Sequence, residues 1–297
     1  MNSTLARQTA TLKALHEYPE GCDLLISAFV AAANHIRRPT VCVPFPPDLF
    51  LDALGGRDYN ACRATISSLP SIKRISQPGG LSSLTGDQLR FLEWLLLNAR
   101  QRHKLVKVSA DQFHADLRTR LNGGGVQLGD SLPTILKVDN GDAGGEDPIF
   151  SENVLTVGFH GTAAENVHSI MQNGLLNLSN TRLQRHGAAF GEGIYLGSDI
   201  ATSNQFAAAA AGWKNSDLGD RIRCIFVCDV AQDNDEEMPI GYVRATRPDH
   251  VRITHVLIFN ASQSVAKFKG LDWCTLVTVA YILLMLLISF RNQVSSY

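Results

Sequence analysis

Hydrophobic positions recur at spacings of three and four through Leu5–His16, Asp23–Arg37, Tyr59–Ser68, Thr85–Arg102 and Ser109–Asn122, the period of helices that bury one face. Pro39, Pro44, Pro46 and Pro47 stop the second segment, and Gly79-Gly80 separates the third from the fourth. Gly123-Gly124-Gly125 has neither a following Lys-Ser/Thr nor a GxGxxG pattern, so it reads as a linker rather than a phosphate loop. A domain boundary is expected there. From about Leu132 the texture changes to short β-branched or aromatic runs: Thr134–Val138, Val154–His160, Gly193–Leu196, Arg221–Val230, Gly241–Ala245 and Val251–Phe259. Helical stretches at Ala163–Gln172 and Ile200–Trp213 interrupt them. The pattern is α+β: a helical domain over residues 1–125, then a mostly antiparallel β domain over residues 126–265.

The end of the chain differs from all of this. Trp273 to Phe290 runs eighteen residues without Asp, Glu, Lys, Arg or His. As a helix it is roughly 27 Å long, close to the hydrocarbon thickness of the endoplasmic reticulum bilayer. Lys267, Lys269 and Asp272 precede it within or near a linker at 266–272, Arg291 opens a short tail at 291–297, and Trp273 sits where an interfacial aromatic belongs. A core helix would show a polar face, and this run has none, so one C-terminal transmembrane helix is expected. Met1 to Arg7 shows no charged stretch followed by an apolar core, so no secretory signal is expected and the folded part is expected in the cytosol.

Composition narrows the function. Apolar residues make up 45% and charged residues 19%, which excludes disorder for the bulk of the chain. With a formal net charge of -1 and no long Lys/Arg run, no nucleic-acid partner is expected. Six cysteines form no CxxC pair, so no metal site is expected, and Cys224 and Cys228 fall on one face of a strand as small hydrophobes. Asp233–Glu237 reads as a solvated turn between strands.

Two stretches hold candidate chemistry. In the first, Leu155 to Thr162, alternation sets Thr156, Gly158 and His160 against Leu155, Val157 and Phe159, and His160-Gly161 falls at a strand-to-helix corner. Thr162 and Glu165 have capping-box spacing, Val167, Ile170 and Met171 form a buried stripe, and Gly174 follows as C-cap. Such a corner leaves an imidazole and bare backbone groups able to hold a flat amide and a sugar hydroxyl; taken alone it is also an ordinary turn before a capped helix. In the second, Phe190 to Leu196, glycines flank Glu192, and Ser198 or Asp199 caps a helix on which Ser203 and Phe206 share a face. Tyr195, Ser203 and Phe206 then line a pocket of two rings and a hydroxyl, suited to nicotinamide, although an aromatic strand packed on a helix gives the same pattern.

Together and in order, Phe159-His160-Gly161-Thr162, Phe190-Gly191-Glu192-Gly193-Ile194-Tyr195-Leu196 and His255-Val256-Leu257-Ile258-Phe259 resemble the catalytic domain of the poly(ADP-ribose) polymerase superfamily. The likeness extends upstream through Asp23–Phe29 and Arg37–Pro46 and downstream to the apolar tail. That overall plan resembles the superfamily's tail-anchored mono-ADP-ribosyltransferases of the endoplasmic reticulum. The resemblance implies NAD⁺ as substrate and no metal. It implies that Gly161 holds the nicotinamide carboxamide through its backbone, aided by Ser203 and flanked by Thr162, that Tyr195 and Phe206 sandwich the ring, and that His160 bonds a ribose hydroxyl. Asn177–Ala189, with Arg185 or His186, would cover the dinucleotide. His255 would stand where the polymerases have a glutamate, so transfer of one ADP-ribose to an acceptor protein, the enzyme itself included, is expected in place of chain growth. The rival reading is a membrane-tethered NAD⁺-binding or interaction module without chemistry; a glycohydrolase shares every motif and differs only in its acceptor.

Overall fold

A computed structural model describes residues 2–97, 104–118, 126–128, 132–139, 148–152, 155–177, 192–231, 242–245 and 247–261. Residues 1–261 form one compact unit. The N-terminal region is helical: α1 (Asn2–Glu17), α2 (Pro19–Asn34), α3 (Arg38–Val41), α4 (Tyr59–Ser67), α5 (Ile72–Ile75) and α6 (Gly86–Leu97). The prolines act as starts as well as stops, since Pro19 and Pro39 sit in the first turns of α2 and α3, where a missing N–H costs nothing. Asp58 accepts from the N–H groups of Asn60 and Ala61 to begin α4. Thr85 and Gln88 make a reciprocal capping box that fixes the start of α6.

The strands are β1 (Lys104–Val108), β2 (Thr134–Asp139), β3 (Leu155–Thr162), β4 (Ile194–Gly197), β5 (Ala210–Ala211), β6 (Arg221–Ala231), β7 (Tyr242–Ala245) and β8 (Val251–Asn260). Between them lie α7 (Ala110–Arg118), α8 (Pro148–Glu152), α9 (Ala164–Asn173) and α10 (Ile200–Asn204). All strand pairs are antiparallel, in the order β1-β2-β8-β6-β3-β4-β7, with β5 paired to the outer part of β6. The α+β pattern read from the sequence therefore holds, helices first and antiparallel sheet second.

Alternation along the strands divides the core. One face of the sheet, with Leu136, Cys224, Phe226, Val256 and Ile258, packs against Leu24, Ala28 and Ala31 of α2 and Val167 and Met171 of α9. Cys224 and Cys228 are both buried there as expected, and burial pushes the Cys224 thiol up to about 12. The other face, with Ile135, Val157, Phe159, Ile225, Val227 and Leu257, packs against Phe113 and Leu117 of α7 and Ile200 at the start of α10. A third cluster, built on Phe29, Phe91, Leu92 and Ile26, fills the helical region and also receives Trp213 from the segment after β5.

Three sequence expectations change. Lys104–Val108, ahead of Gly123-Gly124-Gly125, is already a strand of the sheet, with Lys104 and Lys107 on it exposed as suits an edge. The helix expected over Ile200–Trp213 stops at Asn204, because the alanine-rich stretch that follows pairs with β6 through Ala210 and Ala211, and tertiary pairing outweighs alanine's helix propensity. The Thr162–Glu165 capping box does not form: Thr162 accepts instead from Asn166, and Glu165 lies 3.4 Å from His35 and 3.6 Å from Arg37. The expected C-cap does form, with Gly174 at φ +75° and its N–H on the Ile170 carbonyl. Among the described residues no helix is long and apolar enough to cross a membrane, and Trp273–Phe290 lies outside them, as do residues 178–189 and Asp233–Glu237.

Candidate active site

The site forms where β3 and β4 part. They share one residue pair, Phe159 opposite Gly197, after which the strands diverge and leave the edges of His160-Gly161 and of Tyr195 facing each other. His160 spans the gap: its Nδ1 lies 3.0 Å from the Tyr195 carbonyl oxygen, so Nδ1–H donates to that oxygen. In the neutral ring this leaves Nε2 as an acceptor. The residue is half-buried, yet the surrounding protein holds its imidazole below the usual pKa, desolvation outweighing the hydrogen bond to Tyr195. His160 is thus kept neutral at physiological pH.

Gly161 is a matter of space. A Cβ built on it would lie 1.7 Å from the Ser203 carbonyl oxygen, so only glycine lets the corner of β3 rest on the backbone of α10. Ser203 is buried, and its hydroxyl donates to the Phe159 carbonyl at 2.7 Å. Its oxygen keeps lone pairs to accept a further N–H. Gly197 presses on the same group, since a Cβ there would lie 2.4 Å from Ser203 Oγ. Asp199 holds α10 in place by accepting from the N–H and hydroxyl of Thr202 at 2.7 and 2.9 Å, which settles which of Ser198 and Asp199 is the cap. Tyr195 is half-buried, and Phe206, just past α10, exposes 40% of its surface.

The structure therefore brings together His160, Gly161, Thr162, Tyr195 and Ser203, with Phe206 on the turn that leaves the helix. It does not bring His255 to this group. One register row crosses the sheet from His255 through Val227, Phe159 and Gly197 to Tyr242. Three strand spacings, roughly 14 Å, separate β8 from β4 along that row. His255 is 1% exposed, with Nδ1 3.1 Å from Thr254 Oγ1, Nε2 3.4 Å from Asp116 and its ring edge-on to Phe113. Asp116 and Phe113 belong to α7, so the imidazole lies beneath that helix. The sheet neighbour of Tyr195 is instead β7, which places Tyr242 opposite Gly197 and Arg244 opposite Tyr195. The sequence marks β7 as a strand, but nothing local in it says that β7 and not β8 lies beside β4. Among the described residues no group of three or more His, Cys, Asp or Glu is arranged to hold a metal.

Comparison with known proteins agrees with this plan. Residues 13–96 match the family described as the ARTD15 N-terminal domain, and residues 128–248 match the poly(ADP-ribose) polymerase catalytic domain. Similar proteins include the protein mono-ADP-ribosyltransferase PARP16 of Homo sapiens, 28% identical over 308 aligned residues that cover 91% of this chain and 90% of that one. The Mus musculus PARP16 is 26% identical over 329 aligned residues, covering 98% and 95%. Human protein mono-ADP-ribosyltransferase PARP8 is 35% identical over 106 residues, but these are 27% of this chain and 12% of the relative. With the helical region and the sheet each matched, in order, the chain joins an ARTD15 N-terminal domain to a poly(ADP-ribose) polymerase catalytic domain, the domain of ADP-ribosyltransferases that take NAD⁺ as their substrate.

Proposed function

We propose that the protein is a mono-ADP-ribosyltransferase that moves one ADP-ribose from NAD⁺ to a protein side chain, releases nicotinamide, and works from a membrane to which residues 273–290 fasten it. The observation that carries this reading is the corner where Gly161 rests on the backbone of Ser203 while His160 reaches across to the Tyr195 carbonyl. A primary carboxamide needs both a donor and an acceptor, and the backbone of Gly161 supplies them side by side. The Ser203 oxygen accepts a second N–H while its own proton stays on Phe159. Tyr195 and Phe206 offer ring faces to the nicotinamide. Nε2 of His160 accepts from a ribose hydroxyl.

Loss of nicotinamide leaves positive charge on the ribose. A neutral His160 can orient that sugar without opposing the charge, which a protonated imidazole would do. Growth of a chain asks for a group beside the sugar that draws the proton from an incoming ribose hydroxyl. β7, the strand next to Tyr195, runs Tyr242-Val243-Arg244-Ala245 and carries no carboxylate, and His255 lies under α7. We place the third position of the site at Tyr242 rather than at His255. A tyrosine rather than a carboxylate at that register favours a single transfer. The names of the relatives PARP16 and PARP8 point the same way.

The whole chain incubated with adenylate-labelled NAD⁺ tests this reading. Label is expected on protein as single ADP-ribose units, lost in His160→Ala and Tyr195→Ala and reduced in Tyr242→Phe. Folded protein that neither incorporates label nor releases nicotinamide would instead leave a tethered binding module.

A further inference from the structure

The turn Leu51–Arg57 is built to hold an aliphatic side chain in water. Leu51 and Arg57 bridge its base, and the Asp58 N–H donates to the Phe50 carbonyl at 2.7 Å. Within the turn Asp52 satisfies every near neighbour: its Oδ1 accepts from Leu54 N and Gly56 N at 2.9 and 2.8 Å, its carbonyl from Gly55 N, and its own N–H donates to Gly56 O. Phe50, which leads into it, sits at φ +59° although it is not glycine, and is held there with its ring buried near Phe45 and Phe91. Leu54 projects from this rigid frame with 96% of its surface exposed, and Leu51 beside it with 48%.

A second turn lies next to the first. Arg57 donates to the Pro39 carbonyl, and the Tyr59 hydroxyl to the Arg38 carbonyl, so the segment His35–Thr40 packs against the base of the Leu51–Arg57 turn. That segment turns through Arg38 N on His35 O, with Ile36 at its tip and 86% exposed. In the same two turns Arg38 is laid over Tyr59 and Arg57 over Phe45. Oδ1 of Asp52 and Oδ1 of Asp58 each accept from two backbone N–H groups. Isolated exposed leucines need no explanation, but rigidly presented aliphatic tips on turns that also carry arginines match the headgroup region of a bilayer, where alkyl groups enter and guanidinium groups meet phosphate.

We infer that Ile36, Leu51 and Leu54, with Arg38 and Arg57, form an interfacial foot by which the folded unit rests on the surface of the lipid bilayer. The inference depends on the membrane reading of residues 273–290. Eleven residues lie between Ala261 and Trp273, at most ~40 Å of extended chain, so an anchored tail keeps the foot at high effective concentration near lipid.

The test uses the whole chain, Cys274→Ser, in vesicles of phosphatidylcholine and phosphatidylserine, with a bimane label at Leu54→Cys, Ile36→Cys, the tail position Leu283→Cys, or the exposed control Leu132→Cys. The other five cysteines are buried. Quenching by lipid spin-labelled near the headgroup is expected to be at least about twofold greater at positions 54 and 36 than at 132, with position 283 quenched by a deeper label. Quenching at 283 without quenching at 54 and 36 overturns the foot and leaves the anchor standing. No quenching at 283 removes the anchor and the foot together. A shift at 54 that grows with protein concentration in detergent and ignores the lipid label assigns the tips to a second copy of the chain, and also overturns the foot.

Discussion

At the scale of single residues, the corner of β3 depends on a contact that no side chain could replace. The close approach of Gly161 to the Ser203 carbonyl predicts that Gly161→Ala forces β3 from α10, at a cost of ~1–3 kcal/mol and with loss of the rise in melting temperature that NAD⁺ gives the parent protein. Differential scanning fluorimetry with and without NAD⁺ reads both effects. His160 and His255 provide the contrast. On the proposed site, transfer by His160→Ala is expected to fall by ~100-fold or more, because the imidazole proposed to orient the charged sugar is gone. His255→Gln is expected to keep transfer within about threefold of the parent once matched for folded protein, as a buried packing residue would. Equal losses in the two variants would show that the cleft extends to β8. His160, Gly161, Tyr195 and Ser203 lie beside one another because all four fall on adjoining strand and helix ends. His255 misled, since its distance from them is set by strand order.

At the scale of elements, α9 is the hinge between the two regions. His168 on α9 is fully buried, donates from Nε2 to the Pro44 carbonyl at 2.8 Å, and packs edge-on against Phe29. Asn173 adds a bond to the Val43 carbonyl at 3.4 Å. Burial lowers the His168 pKa to about 4, more than the bond to Pro44 restores. The folded state therefore needs the neutral ring. Stability from this group is complete above the unfolded pKa near 6.5, and is lost as pH falls from there toward 4, because the unfolded chain takes up the proton first. Urea unfolding of residues 1–261 at pH 7 and pH 4.5 should lose ~2–3 kcal/mol more in the parent than in His168→Gln. An equal loss in both would assign the acid sensitivity elsewhere. Helix starts were mostly legible: Thr85–Gln88 and Ser109–Gln112 form the boxes that their spacing suggests. Thr162–Glu165 has the same spacing and fails, because His35 and Arg37, far away in sequence, draw Glu165 aside.

At the scale of the whole molecule, helical region and sheet share their cores. Leu24, Ala28 and Ala31 of α2 cover one face of the sheet, Trp213 enters the helical cluster, and Asp23 ties α2 to the Asp217 N–H at 2.6 Å. Residues 104–261 alone are accordingly expected to show no cooperative thermal transition by circular dichroism, whereas residues 1–261 unfold in one; a sharp transition in the shorter piece would mean that the sheet stands without α2. Periodicity by itself determined that the chain is helical first and β-stranded afterwards, where most elements lie, and which residue types gather at the corner after β3, since these follow from local spacing of apolar, glycine and capping positions. Strand order, the neighbour of Tyr195, the early end of α10 and the merging of two expected domains into one unit were decided only in three dimensions. Hydrogen bonds between strands and packing between cores join residues that the chain keeps far apart, and no window of sequence contains both partners.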